Sequence, residues 1–170
     1  DHGAAFVYER DGTGNWGFVT KLTASDAGPG DHYGWSIDLD GDTILVGSDE
    51  DDHSSLTGAG SAYVYRRSAG TWTEEAKLVA TDPGAGDFFA WSVSIRGDLA
   101  ACGSLNDDVG ASNTGSAYVF RRTGNTWNQE ALLISSDAAA NDAFGYDVAI
   151  QEVTWMNSRA RPIRLRIAKP

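Results

Sequence analysis

The sequence predicts an all-β protein built from repeated four-stranded antiparallel sheets. The phrase "GAAFVYER" at residue 3 returns as "GSAYVYRR" at residue 60 and as "GSAYVFRR" at residue 115. Within each unit, segments alternate large and small side chains, which is the period of a β-strand, and no long helical pattern occurs. Self-similarity at this spacing is typical of proteins whose units stack on one another.

Two strands are predicted at the start of each unit. In the second unit they are "SAYVYRR" and "TWTEEAKLVA", joined by a short turn around Ala69-Gly70. A tryptophan follows the start of every unit by 12 or 13 residues, at Trp16, Trp72 and Trp127. Because these tryptophans recur in register on a predicted strand, we expect them to pack between sheets.

Two further strands are predicted in the second half of each unit. The phrases are "YGWSIDLDGDTILVGS" from Tyr33 and "FAWSVSIRGDLAACGS" from Phe89, and "FGYDVAI" from Phe144 begins a third copy. Asp40-Gly41 and Arg96-Gly97 are predicted two-residue hairpin turns, since glycine supplies the positive φ that such turns require. One face of each strand pair is bulky and the other shallow, so neighbouring units can nest.

Four strands per period, repeated around an axis, are the blades of a β-propeller. Residues 33–80 and 89–135 supply two full blades, with a half-blade from residues 3–24 and another from residues 144–150. We therefore expect an incomplete ring: either half-blades of different chains combine into a homo-oligomer, or the chain is a piece of a longer propeller. The propeller repeats occupy residues 1–150, with units starting near residues 3, 60 and 115.

The units resemble FG-GAP repeats, the blades of integrin α-subunit heads and of many bacterial surface proteins. "FGYD" at 144, with its variants "YGWS" at 33 and "FAWS" at 89, is similar to the FG part, and "LVGS" at 45 and "AACGS" at 100 resemble the GAP part loosely. Ser48 and Ser104 stand in the alanine position. The resemblance covers residues 3 to about 150, and it implies a binding or adhesive role in an extracellular or cell-surface setting, often with calcium in blade loops.

Charge separates the repeats from the end of the chain. The net charge is −11 overall. Residues 1–150 carry 8 basic and 23 acidic side chains, and residues 151–170 carry 5 basic side chains and one acidic one. The acidic repeats argue against a nucleic-acid partner and leave cations, neutral sugars or proteins. Residues 151–170 form an atypical basic segment, either foreign to the repeats or a terminal strand, since "IRLRI" alternates.

Membrane insertion and disulfide bonding are not predicted. No apolar stretch reaches the 18 residues that suggest a membrane span. The single cysteine, Cys102, has no partner for a disulfide within the chain and lies in the apolar run "LAACG", so we expect a buried structural thiol.

Positions that break the repeat are the candidate sites. His32 stands where the other units have Phe88 and Ala143, and His53 stands where the second unit has Val109. Carboxylates surround both histidines, and oxygen-rich ligation favours calcium whereas histidine favours a transition metal. The alternative is that these are solvated loop residues that cap turns. The candidate metal ligands are Asp31, Asp49, Asp51 and Asp52, with a weaker second set at Asp107 and Asp108.

The expected function is a binding, adhesion or scaffolding module with a protein or glycan ligand. His32, His53 and Trp35 are the candidate ligand-binding residues, although Trp35 and its equivalents Trp91 and Tyr146 are also expected in the core between blades. One alternative is a sugar-binding lectin, because aromatic faces stack on pyranose rings. The other is a hydrolase of the glycosidase or esterase type centred on His32 and His53, for which the sequence singles out no catalytic residue.

Overall fold

The computed structural model of the protein describes residues 2–152 and 163–169. All helices or strands assigned in that part of the chain are β-strands. The all-β prediction is confirmed. The strands are β1 (Ala5–Arg10), β2 (Trp16–Leu22), β3 (Ser36–Asp40), β4 (Thr43–Ser48), β5 (Ser61–Ser68), β6 (Thr71–Leu78), β7 (Phe89–Arg96), β8 (Leu99–Ser104), β9 (Ser116–Thr123), β10 (Thr126–Leu133), β11 (Asp147–Glu152) and β12 (Ile163–Ala168).

The strands form two four-stranded antiparallel sheets and two antiparallel hairpins. Blade 1 has the order β3-β4-β5-β6, and blade 2 consists of β7, β8, β9 and β10 in the same order. The N-terminal hairpin, β1-β2, packs on blade 1, and the C-terminal hairpin, β11-β12, packs on blade 2. The four sheets therefore stack in sequence order, as the propeller prediction requires, and the described residues do not close a ring.

The C-terminal hairpin extends beyond the single strand that the sequence predicts at residues 144–150. β11 continues to Glu152 and pairs along its whole length with β12, which lies in the basic segment 151–170. The terminal-strand alternative is therefore what the structure contains for residues 163–168; residues 153–162 lie outside the described part. Four apolar side chains of the hairpin pack toward blade 2: Val148, Ile150, Leu165 and Ile167.

The hairpin turns lie close to their predicted places. The turn Ala69-Gly70 joins β5 to β6 as expected, with both residues at positive φ. The inner hairpins turn at Gly41-Asp42 and Gly97-Asp98, one residue later than predicted, because Asp40 and Arg96 still pair with Thr43 and Leu99. Glycine at positive φ in the first turn position is what a type II′ turn requires.

Three apolar layers hold the stack together. The largest lies between the two blades and joins Leu45 and Val64 of blade 1 to Phe89, Val93 and other residues of blade 2. The next side chains along β4 point the other way, into a layer shared with the N-terminal hairpin. Because fully burying a side chain of this size contributes about 1.5–3 kcal/mol, each four-stranded blade depends on the sheets on both of its sides.

The repeated glycine at the start of each unit marks a close approach between sheets. Gly60 has φ +82, and a Cβ placed there would lie 2.1 Å from the carbonyl oxygen of Phe89. Gly3 and Gly115 are in the same situation against Tyr33 and Phe144. No side chain fits between these backbones, which explains why the phrase always begins with glycine.

Polar side chains join the innermost strands of successive sheets. The carboxylate of Asp38 on β3 accepts hydrogen bonds from the Oγ of Ser94 and from the backbone N–H of Ile95 on β7. Ser94 Oγ in turn accepts the N–H of Ile150 on β11 at 3.1 Å. An edge strand leaves N–H groups unpaired, and these contacts satisfy them without a continuous ladder.

Candidate functional site

A buried aspartate stabilises the rim of blade 1. Asp51 accepts hydrogen bonds from the Oγ of Ser61 at 2.6 Å and from the hydroxyl of Tyr63 at 3.0 Å. The ammonium group of Lys77 lies 2.8 Å from the same carboxylate and 2.7 Å from that of Asp26. The charge of Asp51 is therefore balanced inside the protein.

Blade 2 repeats this arrangement without the lysine. Asp107 accepts hydrogen bonds from the Oγ of Ser116 and from the hydroxyl of Tyr118, and Tyr118 also donates to Asp82. Leu132 occupies the position of Lys77. The recurrence of the same hydrogen bonds in both blades gives Asp51 and Asp107 a role in holding the rim loops.

Three other predicted metal ligands cap turns. The carboxylate of Asp31 accepts the backbone N–H of Gly28, and Asp52 accepts the N–H of Gly58 at 2.8 Å. Asp108 accepts the N–H of Asn113 at 2.7 Å. These contacts are the turn-capping role that the sequence left open as an alternative for the acidic loops.

The two candidate histidines have separate surroundings. The imidazole of His53 contacts its own loop, with Nε2 3.1 Å from the carbonyl oxygen of Gly60 and Nδ1 3.3 Å from the Oγ of Ser54. The imidazole of His32 instead faces two carboxylates, with Nδ1 3.7 Å from Asp49 Oδ1 and 3.6 Å from Glu50 Oε1. The structure thus brings His32 and Asp49 together, with His53 engaged elsewhere.

One group of side chains has the geometry of a metal site: the potential ligand atoms of His32, Asp49 and Glu50 all lie within 4.8 Å of one another. Of the described residues, no other three His, Cys, Asp or Glu side chains lie this close together. Asp49 is only 2% exposed, and its Oδ1 has no hydrogen-bond partner. Burial raises the pKa of Asp49 to about 6, against smaller opposing effects that include the nearby imidazole of His32. The three side chains form what we call the His32 cluster.

A row of three aromatic side chains, which we call the aromatic row, runs across successive sheets beside the His32 cluster. Trp35, Trp91 and Tyr146 occupy equivalent positions in three successive units, with ring centroids 4.9 Å apart for the first pair and 6.1 Å apart for the second. Trp35 is 51% exposed and Tyr146 is 47% exposed, so the expectation of a place in the core between blades is wrong for these two rings, whereas Trp91 is partly buried. The ring of His32 stacks on Trp35 at 5.9 Å with an interplanar angle of 22°.

Comparison with protein families assigns the repeats. The FG-GAP repeat matches three stretches of the chain, residues 16–65, 72–120 and 127–156. The chain belongs to the FG-GAP repeat family. A comparison with curated proteins gave no match. FG-GAP repeats build propeller-type binding or adhesion modules and are typical of extracellular or surface proteins.

The FG-GAP phrases have identifiable structural roles in this chain. In the first two units the aromatic residue of the FG part is buried against a tyrosine of the same sheet: Tyr33 meets Tyr63 edge-on at 5.5 Å, and Phe89 meets Tyr118 edge-on at 5.4 Å. Phe144 of the third unit is partly buried. Ser48 and Ser104 replace the alanine of the GAP part, and their hydroxyl groups donate to the backbone carbonyls of Asp31 and Asp87. The serines therefore tie each inner hairpin to the loop that precedes it.

Glu50 is the member of the His32 cluster that sequence reasoning missed. Its signal was present, because Glu50 replaces the Asn106 of the second FG-GAP unit in the same way that His32 replaces Phe88. Cys102 is buried and free, as expected. Among the described residues, no helix is long and apolar enough to cross a membrane.

Proposed function

We propose that this FG-GAP protein is a binding or scaffolding module that works outside the cell or at its surface and engages a neutral glycan through the aromatic row. The observation that carries the proposal is the line of exposed Trp35, partly buried Trp91 and exposed Tyr146, which repeats across three units. Aromatic faces of this kind stack on the apolar faces of pyranose rings.

The row is most exposed at its two ends, where Trp35 and Tyr146 each have inner strands of a neighbouring sheet on one side only. Trp91 has inner strands on both sides and is still only partly buried. Tyr146 has blade 2 packed beside it, and Val148, two residues later on the same strand, is buried. Large aromatic side chains held at the surface of one rim mark a contact site for a ligand.

The charge of the surroundings narrows the ligand class. The repeats carry a large excess of carboxylates, and the row ends beside Asp49 and Glu50. An anionic glycan would be repelled by this surface, whereas a neutral sugar or a protein with a basic face would not. We therefore favour neutral glycans and keep a protein ligand as the second candidate.

A glycan array probed with the full chain tests this function. We expect selective binding to neutral glycans, and we expect Trp35→Ala to reduce that binding by tenfold or more. Trp16→Ala is the matched control, because Trp16 is an exposed tryptophan on β2, outside the row. Binding that is equal in the two variants, or an array with no bound glycan, would contradict the glycan proposal.

Self-association is a separate part of the proposal. Phe6, Tyr8 and Phe18 of the N-terminal hairpin are exposed, whereas Tyr63 and Tyr65, which correspond to the first two, are buried by the neighbouring sheet. The order of the strands supports this: β11 and β12 correspond to β3 and β4, and β1 corresponds to β5, so a β11-β12 hairpin from a second copy would lie beside the free edge of β1 as β4 lies beside β5. We propose that a second copy covers this face.

Sedimentation velocity on the full chain tests the self-association. We expect a dimer or larger closed oligomer, and we expect Phe6→Lys to weaken it because a charge would enter the buried face. Thr13→Lys, in the exposed β1-β2 turn, is the control. A folded monomer at micromolar concentration would remove this part of the proposal.

Calcium binding and the hydrolase alternative stay predictions. Of the carboxylates predicted to bind calcium, Asp51, Asp52 and Asp107 accept hydrogen bonds from protein groups, so calcium would have to share them. For hydrolysis, the imidazole of His53 is engaged by its own loop, and His32 alone lies beside free carboxylates. Substrate turnover abolished by His32→Ala would support the hydrolase.

A further inference from the structure

We propose that His32, Asp49 and Glu50 bind a divalent first-row transition-metal ion at the rim of blade 1. The inference is independent of the glycan proposal and concerns a site with its own ligands. His32 Nδ1 lies 3.7 Å from Asp49 Oδ1 and 3.6 Å from Glu50 Oε1. Ligands bound tetrahedrally at about 2.0 Å are about 3.3 Å apart, so small side-chain movements suffice to place an ion among them.

The buried oxygen of Asp49 is a second, independent indication of a cation-binding site. Nearly all buried polar atoms in proteins have a hydrogen-bond partner, and a buried carboxylate normally has a charged one. Asp49 Oδ1 has no hydrogen-bond partner although the side chain is 98% buried, and the group that it faces is the imidazole of His32 at 3.7 Å. By contrast, the buried Asp51 nearby is neutralised by Lys77 at 2.8 Å.

The second unit has uncharged residues at the three positions that form the His32 cluster in the first unit. Phe88, Leu105 and Asn106 stand where the first unit has His32, Asp49 and Glu50, respectively. The backbone is the same, since His32 and Phe88 both have a left-handed conformation, with φ 55° and 52°. All three positions that meet in the His32 cluster therefore differ between the two units: the first unit has side chains that can bind a metal, and the second unit has uncharged ones.

The ligand set indicates the class of ion. One imidazole nitrogen and two carboxylate oxygens suit zinc and neighbouring first-row metals, whereas calcium prefers six to eight oxygen ligands. Three protein ligands leave at least one coordination position open, as in zinc sites that accept a further ligand. Stacking on Trp35 holds the imidazole of His32 in place, and the open position is exposed because His32 and Glu50 are partly solvent-accessible.

Zinc titration of the full chain tests the site. By isothermal titration calorimetry we expect saturable binding of one Zn²⁺ per chain, together with a rise in the thermal unfolding midpoint. His32→Phe and Asp49→Leu introduce the residues of the second unit, and each is expected to weaken zinc binding by tenfold or more. His53→Val is the matched control, because it also introduces the second unit's residue, and it is expected to leave zinc binding unchanged.

Folding and ion choice are controlled in the same experiment. Far-UV circular dichroism reports whether each variant is folded, and Glu50→Asn, at a half-exposed position, replaces any variant that is not. Absence of saturable zinc binding up to millimolar concentration overturns the proposal, as does binding that survives both His32→Phe and Glu50→Asn. Calcium that binds more tightly than zinc and equally well to the His32→Phe variant also overturns it, because it would place the cation among carboxylates alone.

Discussion

Glu75 joins the two complete blades, and Glu75→Gln measures how strongly. From β6 of blade 1, its carboxylate accepts two hydrogen bonds from the guanidinium of Arg122 on β9, at 2.7 and 2.8 Å. It also accepts the indole N–H of Trp127 on β10 at 2.9 Å. The Glu75 and Arg122 side chains are only 13% and 14% exposed, so the pair is largely shielded from solvent.

The expected cost of the substitution lies between two limits. Removing one partner of a fully buried ion pair costs about 3–5 kcal/mol, whereas an exposed pair is worth about 0–1 kcal/mol. Glutamine keeps one acceptor oxygen but loses the charge, and the pair is mostly rather than fully buried. We expect the free energy of unfolding to fall by about 2 kcal/mol, or the unfolding midpoint by about 4–8 °C for a chain of this length.

The dependence on pH separates charge from packing. Burial by itself would raise the pKa of Glu75, but the hydrogen bonds from Arg122 and Trp127 outweigh it and lower the pKa below its ordinary value of 4.5. Stability gained from a lowered pKa is present above the ordinary value and is lost as the pH falls through the folded-state pKa. The difference between wild type and Glu75→Gln should therefore shrink on acidification from pH 7 to pH values well below 4.5.

Urea unfolding at several pH values makes the measurement, and Glu130→Gln is the control. Glu130 pairs with Arg121 on the same two strands of blade 2, but both side chains are nearly half exposed, so we expect a loss below about 1 kcal/mol. If Glu75→Gln costs no more than Glu130→Gln, or costs the same at every pH, the ion pair does not hold the blades together and the reasoning is refuted.

Three further outcomes are expected. Gly60→Ala should destabilise the protein by at least about 2 kcal/mol more than Gly70→Ala, because both glycines have nearly the same positive φ but only Gly60 touches the backbone of the next sheet. Equal losses of stability in thermal unfolding would contradict this close approach. Lys77→Leu should cost about 1–3 kcal/mol in urea unfolding because the buried Asp51 loses its cation, and an unchanged midpoint would argue against it. Cys102 should resist thiol reagents until the protein unfolds, because burial raises its pKa, and rapid labelling of the native chain would refute this.

The blades were predictable because their signals are local and repeated. Alternation along "YGWSIDLDGDTILVGS" identifies two strands and a turn, and the same phrase 56 residues later identifies the unit. The turn position was wrong by one residue, since Asp40 and Arg96 can stand either in a turn or at the end of a strand. Pairing across the sheet, which the local pattern does not contain, places them in the strands.

The candidate site was predictable only in part. Histidines and carboxylates that break the repeat led to His32 and Asp49, and the same comparison would have identified Glu50. The sequence did not separate these from Asp31, Asp52 and their equivalents, because an acidic loop residue has the same appearance whether it caps a turn or stands free. Hydrogen-bond partners in the folded chain make that distinction.

The sequence by itself determined the repeat, the four strands of each unit and the need of each sheet for neighbours, since a side-chain period along a strand already specifies which face is apolar. Only the tertiary structure decided that Trp35 and Tyr146 line an exposed row, that His53 is bound within its own loop, and that one buried oxygen of Asp49 has no partner. The physical reason is that exposure and hydrogen bonding depend on residues that are separated along the chain, by 7 positions for His53 and Gly60 and by 54 for Ser36 and Ala90, and that meet only in the folded protein.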